Sequence, residues 1–490
     1  MRIIIVIILI SNLLSAQDNR CNTWALGFSF SDTSNLVQLD FTVDSVKLST
    51  FQSDHSMFDP SLTTLSDATG ELLLYSNGCT IYDRNQDVIP NGDSIVTDFD
   101  LIGLCETFEW TGNPEGVLFA TQPCDKDLVH LIYLDLVNEN FQLFSRRLLR
   151  TTINISDPDN PRVTQKNELI REGVYEDGSI FMTKHHNGLD WWICMLQLKS
   201  NCYDCLHLSE NGFSEPVTSC SGPFWTGIPG SSGIGAGGFS PDGTTYYRFN
   251  FDYGLNIYDF DSETGGLMHK EQIFLQEDDF LGHIGASVSA NSRYLYASAQ
   301  WRLYQFDLWA DTIESSGQIV DTLDLDLPGN HLFRLSRLAP DGKIYIAGFN
   351  TLAGLHVVHN PNLEGRACNV EQLGLRFPPG ISHGSGLPNN PWYGALSDTS
   401  LCDSLDSVTE ESDQVTVEVY PNPAQQMLYV SSSEPSIQRI DILDIQGSMV
   451  TSLYNGTSEA TLDLNGYAAG IYFVSIYTDR GTVVKRVVVE

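Results

Sequence analysis

The sequence predicts an all-β fold: a β-propeller of six or seven blades, seven favoured, followed by a small Ig-like β-sandwich. Three observations lead there. A tight turn of the Pro-Asp-Gly type recurs between strand-like runs at intervals near 50 residues. No stretch carries apolar residues at i, i+3, i+4 and i+7 over three heptads, so long amphipathic helices are not expected. The last part of the chain alternates apolar and polar residues cleanly, as half-buried strands do.

The recurring turn sets the architecture of the larger part. Taken at the turn residue, its copies fall at 67, 125, 177, 242, 291 and 341, separated by 58, 52, 65, 49 and 50 residues. Ser240-Pro241-Asp242-Gly243 leads into Thr245-Tyr246-Tyr247, and Ala339-Pro340-Asp341-Gly342 into Ile344-Tyr345-Ile346. Glu176-Asp177-Gly178, before Ile180-Phe181-Met182, reads as the third copy. Proline presets φ, aspartate bonds its own backbone and glycine accepts positive φ, so the chain reverses tightly. A period near 50 with about four short strands per unit is the spacing of propeller blades. A seventh blade is expected to close from both ends, with residues 24–28 and 36–41 pairing with the segment after Leu375. Such closure leaves no exposed sheet edge.

Length and composition bound the alternatives. At 490 residues the chain exceeds one ordinary hydrophobic core. Apolar residues make up 42 %, with 24 Phe and 20 Tyr, a globular rather than disordered composition. The net charge of −36 repels phosphate backbones and anionic lipid, which excludes nucleic acid and membrane surfaces as partners. The same acidity raises calcium as the one cation the composition would suit.

The N-terminus reads as a secretory signal peptide over residues 1–16. Arg2 is the positive region, Ile3 to Ile10 an unbroken apolar run, and Ala16-Gln17 the cleavage point after small Ser15. That run is short against a bilayer core of ~30 Å, so the mature chain is expected to carry no transmembrane anchor. Asp18-Asn19-Arg20 precede Cys21, where a lipoprotein would need small or apolar residues. Ten cysteines in an exported chain read as disulfides. Cys202 and Cys205 form a C-x-x-C without a second pair or a βαβ context, so a local disulfide knot with Cys194 and Cys220 is expected in place of a redox or metal site.

The propeller is therefore placed at residues 17–396. Residues 397–415 carry six acids, no base and several serines, and read as a linker. Residues 416–490 form a separate β module free of cysteine.

That module carries ordered motifs. Val419-Tyr420-Pro421-Asn422-Pro423-Ala424 opens it, and Asp441 to Gly447 (DILDIQG) stands in the middle. Leu462-Asp463-Leu464, Gly470-Ile471-Tyr472-Phe473-Val474 and Lys485-Arg486-Val487-Val488 follow. In this order they resemble the type A C-terminal sorting domain of type IX secretion cargo; Tyr467 stands where that family usually has leucine. The resemblance implies a route through the periplasm and across the outer membrane, by way of the type IX secretion machinery, to a secreted or cell-surface location. The local chemistry is consistent with recognition. Pro421 and Pro423 lock the backbone into an extended approach to the sheet, Gly447 suits a hairpin and Gly470 a turn. A terminal strand bearing Lys485 is a handle for β-augmentation. The propeller part also resembles exported proteins of the Bacteroidota, through Leu74-Tyr75-Ser76-Asn77-Gly78 and Leu338 to Tyr345 (LAPDGKIY). That resemblance implies no activity.

Motifs for chemistry are sparse. The glycine-rich run 233–238 lacks a following helix and a P-loop lysine, which argues against a phosphate loop. Asp83-Arg84-Asn85-Gln86-Asp87 begins like a calcium loop but has Val88 at position six and Ser94 at position twelve, so an inter-strand turn is the expectation. His185, His186, His283 and His383 fall in loops that could line one end of a propeller channel. No metal or other cofactor follows from this sequence. The reading is a non-catalytic exported propeller that binds a glycan or a protein through its channel-end loops. The alternative is a metal-assisted hydrolase of lactonase-like propeller type, which needs three or more His, Asp, Glu or Asn side chains converging at the channel mouth.

Overall fold

The computed structural model describes residues 18–27, 34–41, 46–53, 61–95, 105–106, 115–139, 142–225 (without 177 and 179), 235–275 (without 251), 284–327, 331–348, 353–393 (without 382, 384 and 385), 402 and 417–489 (without 433–436, 444–448, 455–456, 469 and 479–480). The chain divides into two compact units, Met1–Thr399 and Ser400–Glu490. The signal peptide, Ala16, Gln17, His283 and Gly447 lie outside the described residues.

The described part of the first unit holds seven antiparallel sheets. The first is β1 (Thr23–Leu26), β2 (Ser34–Asp40) and β3 (Lys47–Ser53), and the second β4 (Thr63–Ser66), β5 (Leu72–Ser76) and β6 (Ile81–Asp83). The third comprises β7 (Val117–Thr121), β8 (Leu128–Leu134), β9 (Val137–Glu139), β10 (Gln142–Asn154) and β11 (Arg162–Tyr175). The fourth is β12 (Phe181–Lys184), β13 (Trp191–Leu196), β14 (Cys202–Ser209), β15 (Gly212–Phe213) and β16 (Val217–Cys220). The fifth is β17 (Gly235–Phe239), β18 (Thr245–Asn250), β19 (Gly254–Asp261) and β20 (Gly266–Ile273). The sixth is β21 (Ile284–Val288), β22 (Tyr294–Ala299), β23 (Arg302–Asp307) and β24 (Gln318–Thr322), and the seventh β25 (Ser336–Leu338), β26 (Ile344–Ile346), β27 (Gly354–Val358) and β28 (Val370–Arg376).

The repeated turn is what makes each sheet a meander. Between β17 and β18, Ser240 accepts the Gly243 amide at 2.8 Å and Asp242 Oδ1 accepts the Thr244 amide at 3.1 Å, with Gly243 at φ +70°. Between β25 and β26, Ala339 accepts from Gly342 at 2.9 Å and Asp341 Oδ1 from the Lys343 amide at 3.1 Å. The backbone bond recurs at Asp67–Gly70 and Ser289–Ser292; Asn291 Oδ1 likewise accepts the Arg293 amide at 3.3 Å, whereas at the other turn it is Asp67 Oδ1 that accepts, from the Thr69 amide at 2.9 Å. Asp242 N–H also donates to Ser292 Oγ at 3.0 Å, so the turn of one sheet grips the turn of the next.

Two expectations are corrected. Gly178 lies in the connection into β12, not between the first two strands of a sheet; the equivalent turn there is the hairpin from His185 to Asp190. An Asp-Gly pair serves any reversal, so the motif alone does not fix which connection it makes. Among the described residues, the N-terminal strands do not pair with the segment after Leu375. β1, β2 and β3 form a sheet of their own, registered Leu26↔Val37 and Leu36↔Phe51.

First strands of successive sheets stand against each other: β1 with β4, β4 with β7, β12 with β17, β17 with β21, and β21 with β25. Trp24 of β1 meets Tyr345 of β26 edge-on at 6.0 Å, joining the seventh sheet to the first. Close approach explains the glycines of β17: a Cβ at Gly237 would sit 2.6 Å from the Phe181 ring of β12. The core falls between sheets, with Leu72, Tyr75, Ala297 and Val357 fully or nearly fully buried. Sheets packed on both faces give the near-continuous apolar run Leu72-Leu73-Leu74-Tyr75.

The second unit is a two-sheet sandwich. One sheet orders β29 (Val417–Tyr420), β30 (Met427–Ser432) and β33 (Glu459–Asp463). The other orders β32 (Met449–Tyr454), β31 (Ile437–Leu443), β34 (Gly470–Thr478) and β35 (Gly481–Val489). Leu428, Val430, Ile440, Ile442, Val474 and Val487 fill the space between them.

Candidate functional site

First strands of six of the seven sheets line a hollow, and the chain itself occupies it. Residues 388–392 line that space together with Trp24, Leu118, Phe181, Ser287 and Arg337. The Asn389 amide nitrogen lies within 3.0–3.2 Å of the carbonyls of Glu115, Val117 and Ile180, and the Asn389 backbone N–H donates to Leu62 at 2.7 Å. Asn390 accepts from Thr64 N–H at 3.0 Å and donates to Thr64 Oγ1 at 2.9 Å. Tyr393 is buried edge-on against Trp191 at 5.1 Å. The free cavity that remains is about 70 Å³. Across the same space Arg337 of β25 pairs with Glu115, 222 positions away. Burial pulls the Arg337 guanidinium down to about 10.

Of the described candidate histidines, His185, His186 and His383, none lines that hollow. His185 and His186 sit in the hairpin after β12, and His383 is buried edge-on against Phe377 at 6.1 Å. His185 instead meets His207 of β14, with ring centroids 4.6 Å apart, and both lie against Trp192 at 5.8 and 5.0 Å. His207 Nε2 is 2.9 Å from Asp190 Oδ2. His207 is not among the histidines that the sequence singles out. Its signal was register: His207 stands opposite Trp192 in the β13–β14 ladder, which only the pairing reveals.

Cys194 is bonded to Cys205 and Cys202 to Cys220, so the four cysteines of the expected knot form two bridges within the fourth sheet. A further bridge joins Cys79 to Cys105. Buried Cys21 and Cys368 are free thiols, pushed up to about 12 and about 11, chiefly by burial. Asp83 Oδ1 accepts the amides of Asn85 and Asp87 at 2.8 and 3.0 Å, the pattern of an Asx turn.

An open groove lies along β9, β10 and β11. It measures about 760 Å³ and is lined by Asp135, Glu139, Arg146, Arg147, Glu172 and Val174. Arg146 pairs with Glu139 at 2.7 Å, and Arg147 with Asp135 at 2.7 Å.

In the sandwich unit the opening motif is tied to the chain end. Pro421, Asn422 and Pro423 form a bend after β29, and Ala424 makes a parallel bridge to Val489. The expected extended approach is thus corrected, because prolines lacking amide donors leave the ladder there. Asn422 Oδ1 accepts the Val488 amide at 2.8 Å, and Ala424 donates to the Val488 carbonyl at 2.7 Å. Tyr420 is half exposed and stacks on Tyr429 at 5.7 Å. Gly470 is the first residue of β34, paired with Val489, and the expected turn lies instead at Asn465-Gly466, with Gly466 at φ +94°. A Cβ at Gly470 would meet open space. Tyr472 donates to the Ala468 carbonyl at 3.0 Å and packs edge-on against Tyr467 at 5.5 Å, so the tyrosine at the leucine position is accommodated. Lys485 is exposed on β35, opposite Val474.

Residues 418–490 match the family described as the secretion system C-terminal sorting domain. The second unit is a type IX sorting domain. The sorting domain directs export to the cell surface or the medium. Among the described residues no helix is long and apolar enough to cross a membrane. No curated protein sequence matches the chain. Among solved structures, a candidate 6-phosphogluconolactonase from Bacteroides uniformis aligns at 13 % identity, TM-score 0.41, over 74 % of this chain and 97 % of its own. The Dos1 propeller aligns at 10 % identity, TM-score 0.37, over 67 % and 87 %. PorZ, a surface component of the type IX secretion system of Porphyromonas gingivalis, aligns at 11 % identity, TM-score 0.26, over 94 % and 69 %. Scores this low carry no argument about this chain's chemistry.

Proposed function

We propose that the unit preceding the sorting domain is a non-catalytic binding module working outside the cell. Its ligand is a glycan or a protein segment. The observation that carries this reading is the occupied hollow: Asn389 and its neighbours leave about 70 Å³, whereas ligand sites span ~300–1,000 Å³. Among the described residues, the space beside Asn389 is smaller than a substrate of ordinary size would need. The groove along β9 to β11, at about 760 Å³, is of ligand size. Its ion pairs, Arg146 with Glu139 and Arg147 with Asp135, offer donors and acceptors in alternation. Polyhydroxylated chains and extended backbones are bound by such sets.

The test is binding by the full exported chain to a glycan array and to extracellular protein fractions, repeated with Arg146→Ala and Glu139→Ala. Binding that weakens in both variants supports the reading. Undiminished binding in both, or hydrolysis of lactone or ester substrates that survives them, contradicts it.

A further inference from the structure

We propose that His185, Asp190 and His207 form a binding site for a divalent transition ion of the zinc class. One donor atom from each of the three residues lies within 4.8 Å of the others. Two imidazoles and one carboxylate are borderline donors. They suit zinc, copper or nickel and not calcium or magnesium, which take mainly oxygen. Three protein ligands leave a fourth position open to water or to an incoming group.

Two strands and one hairpin bring the ligands together. His207 faces Trp192 across the β13–β14 ladder, and the hairpin closes where His185 N–H donates to the Asp190 carbonyl at 2.9 Å. Asn187 holds that hairpin: its Oδ1 accepts the amides of Leu189 and Asp190 at 3.0 Å, and its Nδ2 donates to Asp190 Oδ2 at 2.8 Å. It is a positioning residue for the carboxylate. The neighbouring sheet supports the base. Trp192 Nε1 and His186 N–H both donate to the Ser262 carbonyl at 2.9 Å, and Gly265 lets that turn press on the Trp192 ring.

Asp190 Oδ2 and His207 Nε2, 2.9 Å apart, already sit as neighbouring ligands would. Tetrahedral zinc with bonds of ~2.0–2.1 Å places its donors roughly 3.3 Å apart. His185 is the ligand that must move. Its ring stacks on His207 and its Nδ1 accepts the Asn187 amide at 3.1 Å, so binding rotates the ring out of the stack and releases that contact. Metal binding at His207 Nε2 takes the place of its hydrogen bond to Asp190 Oδ2. Trp192, under both imidazoles, is a built-in reporter.

The experiment is calorimetric titration of the chelator-stripped full chain with ZnCl2, with tryptophan fluorescence followed in parallel. One strong equivalent and a fluorescence change are expected. His185→Gln and His207→Gln each abolish that equivalent, and Asn187→Ala weakens it by roughly 10–100-fold. Zinc X-ray absorption of the loaded wild type reads two nitrogens and one carboxylate oxygen, and this stands even where a variant fails to fold. Absence of a strong equivalent in the wild type, its persistence in His185→Gln/His207→Gln, or a sulfur-containing first shell overturns the site. Loss of groove binding in Arg146→Ala leaves zinc uptake unchanged, which separates this inference from the binding-module reading.

Discussion

Asn422 accepts the backbone N–H of Val488 at 2.8 Å, so the first motif of the sorting domain holds its last strand. The two residues are 66 positions apart, and both belong to motifs readable in the sequence. Their contact gives those motifs a shared physical role: the opening bend fixes where β35 ends. Asn422→Ala removes a partly solvated hydrogen bond, a loss of about 1 kcal/mol. Amide exchange at Val488 is expected to rise about fivefold, with exchange in the middle of β34 unchanged. Unchanged Val488 protection would show that the side chain does not hold the strand.

Asn389 ties the third and fourth sheets together through one side chain, and its backbone N–H reaches the second at Leu62. Asn389→Ala strips the donor shared by those carbonyls and is expected to cost roughly 2–3 kcal/mol in denaturant unfolding. Asn389→Asp should cost more, because it turns an acceptor-only carboxylate toward three carbonyl oxygens. A midpoint shift within error for both variants would show that Asn389 does not hold the sheets together.

Arg337 and Glu115 form a buried pair across the hollow. Arg337→Met strands the carboxylate and should destabilise by about 3–5 kcal/mol. Pairing it with Glu115→Met should recover most of that loss, since neither charge is then left alone. A double variant as unstable as the single one would mean that the pair acts through packing of the arginine stem.

Two buried histidines set an acid limit. Burial is the main cause that holds His130 and His356 down at about 4. In the unfolded chain they titrate near ~6.5. As pH falls below that value the unfolded chain takes up protons first, so stability is lost between about pH 6.5 and pH 4, by up to ~3 kcal/mol per histidine. His130 lies 3.1 Å from Thr152 Oγ1 and 2.8 Å from Gln122 Oε1, contacts a neutral ring meets by donating from Nε2 and accepting at Nδ1. His356→Gln should flatten the unfolding free energy between pH 7 and pH 4.5 relative to wild type. An equal slope in both proteins would contradict the assignment.

Much of the fold was legible because its causes are local. The Ser240–Gly243 and Ala339–Gly342 turns carry their own hydrogen-bond chemistry, and alternation at Leu428 and Val430 marks a half-buried strand. What escaped depends on register or on distant parts of the chain. Gly178 looked like a repeat turn because Asp-Gly suits many reversals. The path of residues 388–393 into the hollow follows no periodicity; only Asn389's match to three carbonyls explains it. Of the candidate histidines, His185 was visible as a loop residue, but its neighbour His207 lies two strands away and is brought there by ladder pairing.

The most direct test removes the label. A chain ending before residue 416, produced in a host with an active type IX system, is compared with the full chain by mass spectrometry of periplasm, cell surface and medium. The full chain should appear outside the cell with its sorting domain cut away, and the shortened chain should remain in the periplasm. Equal amounts of both outside the cell would contradict the assignment of residues 418–490 as the export address.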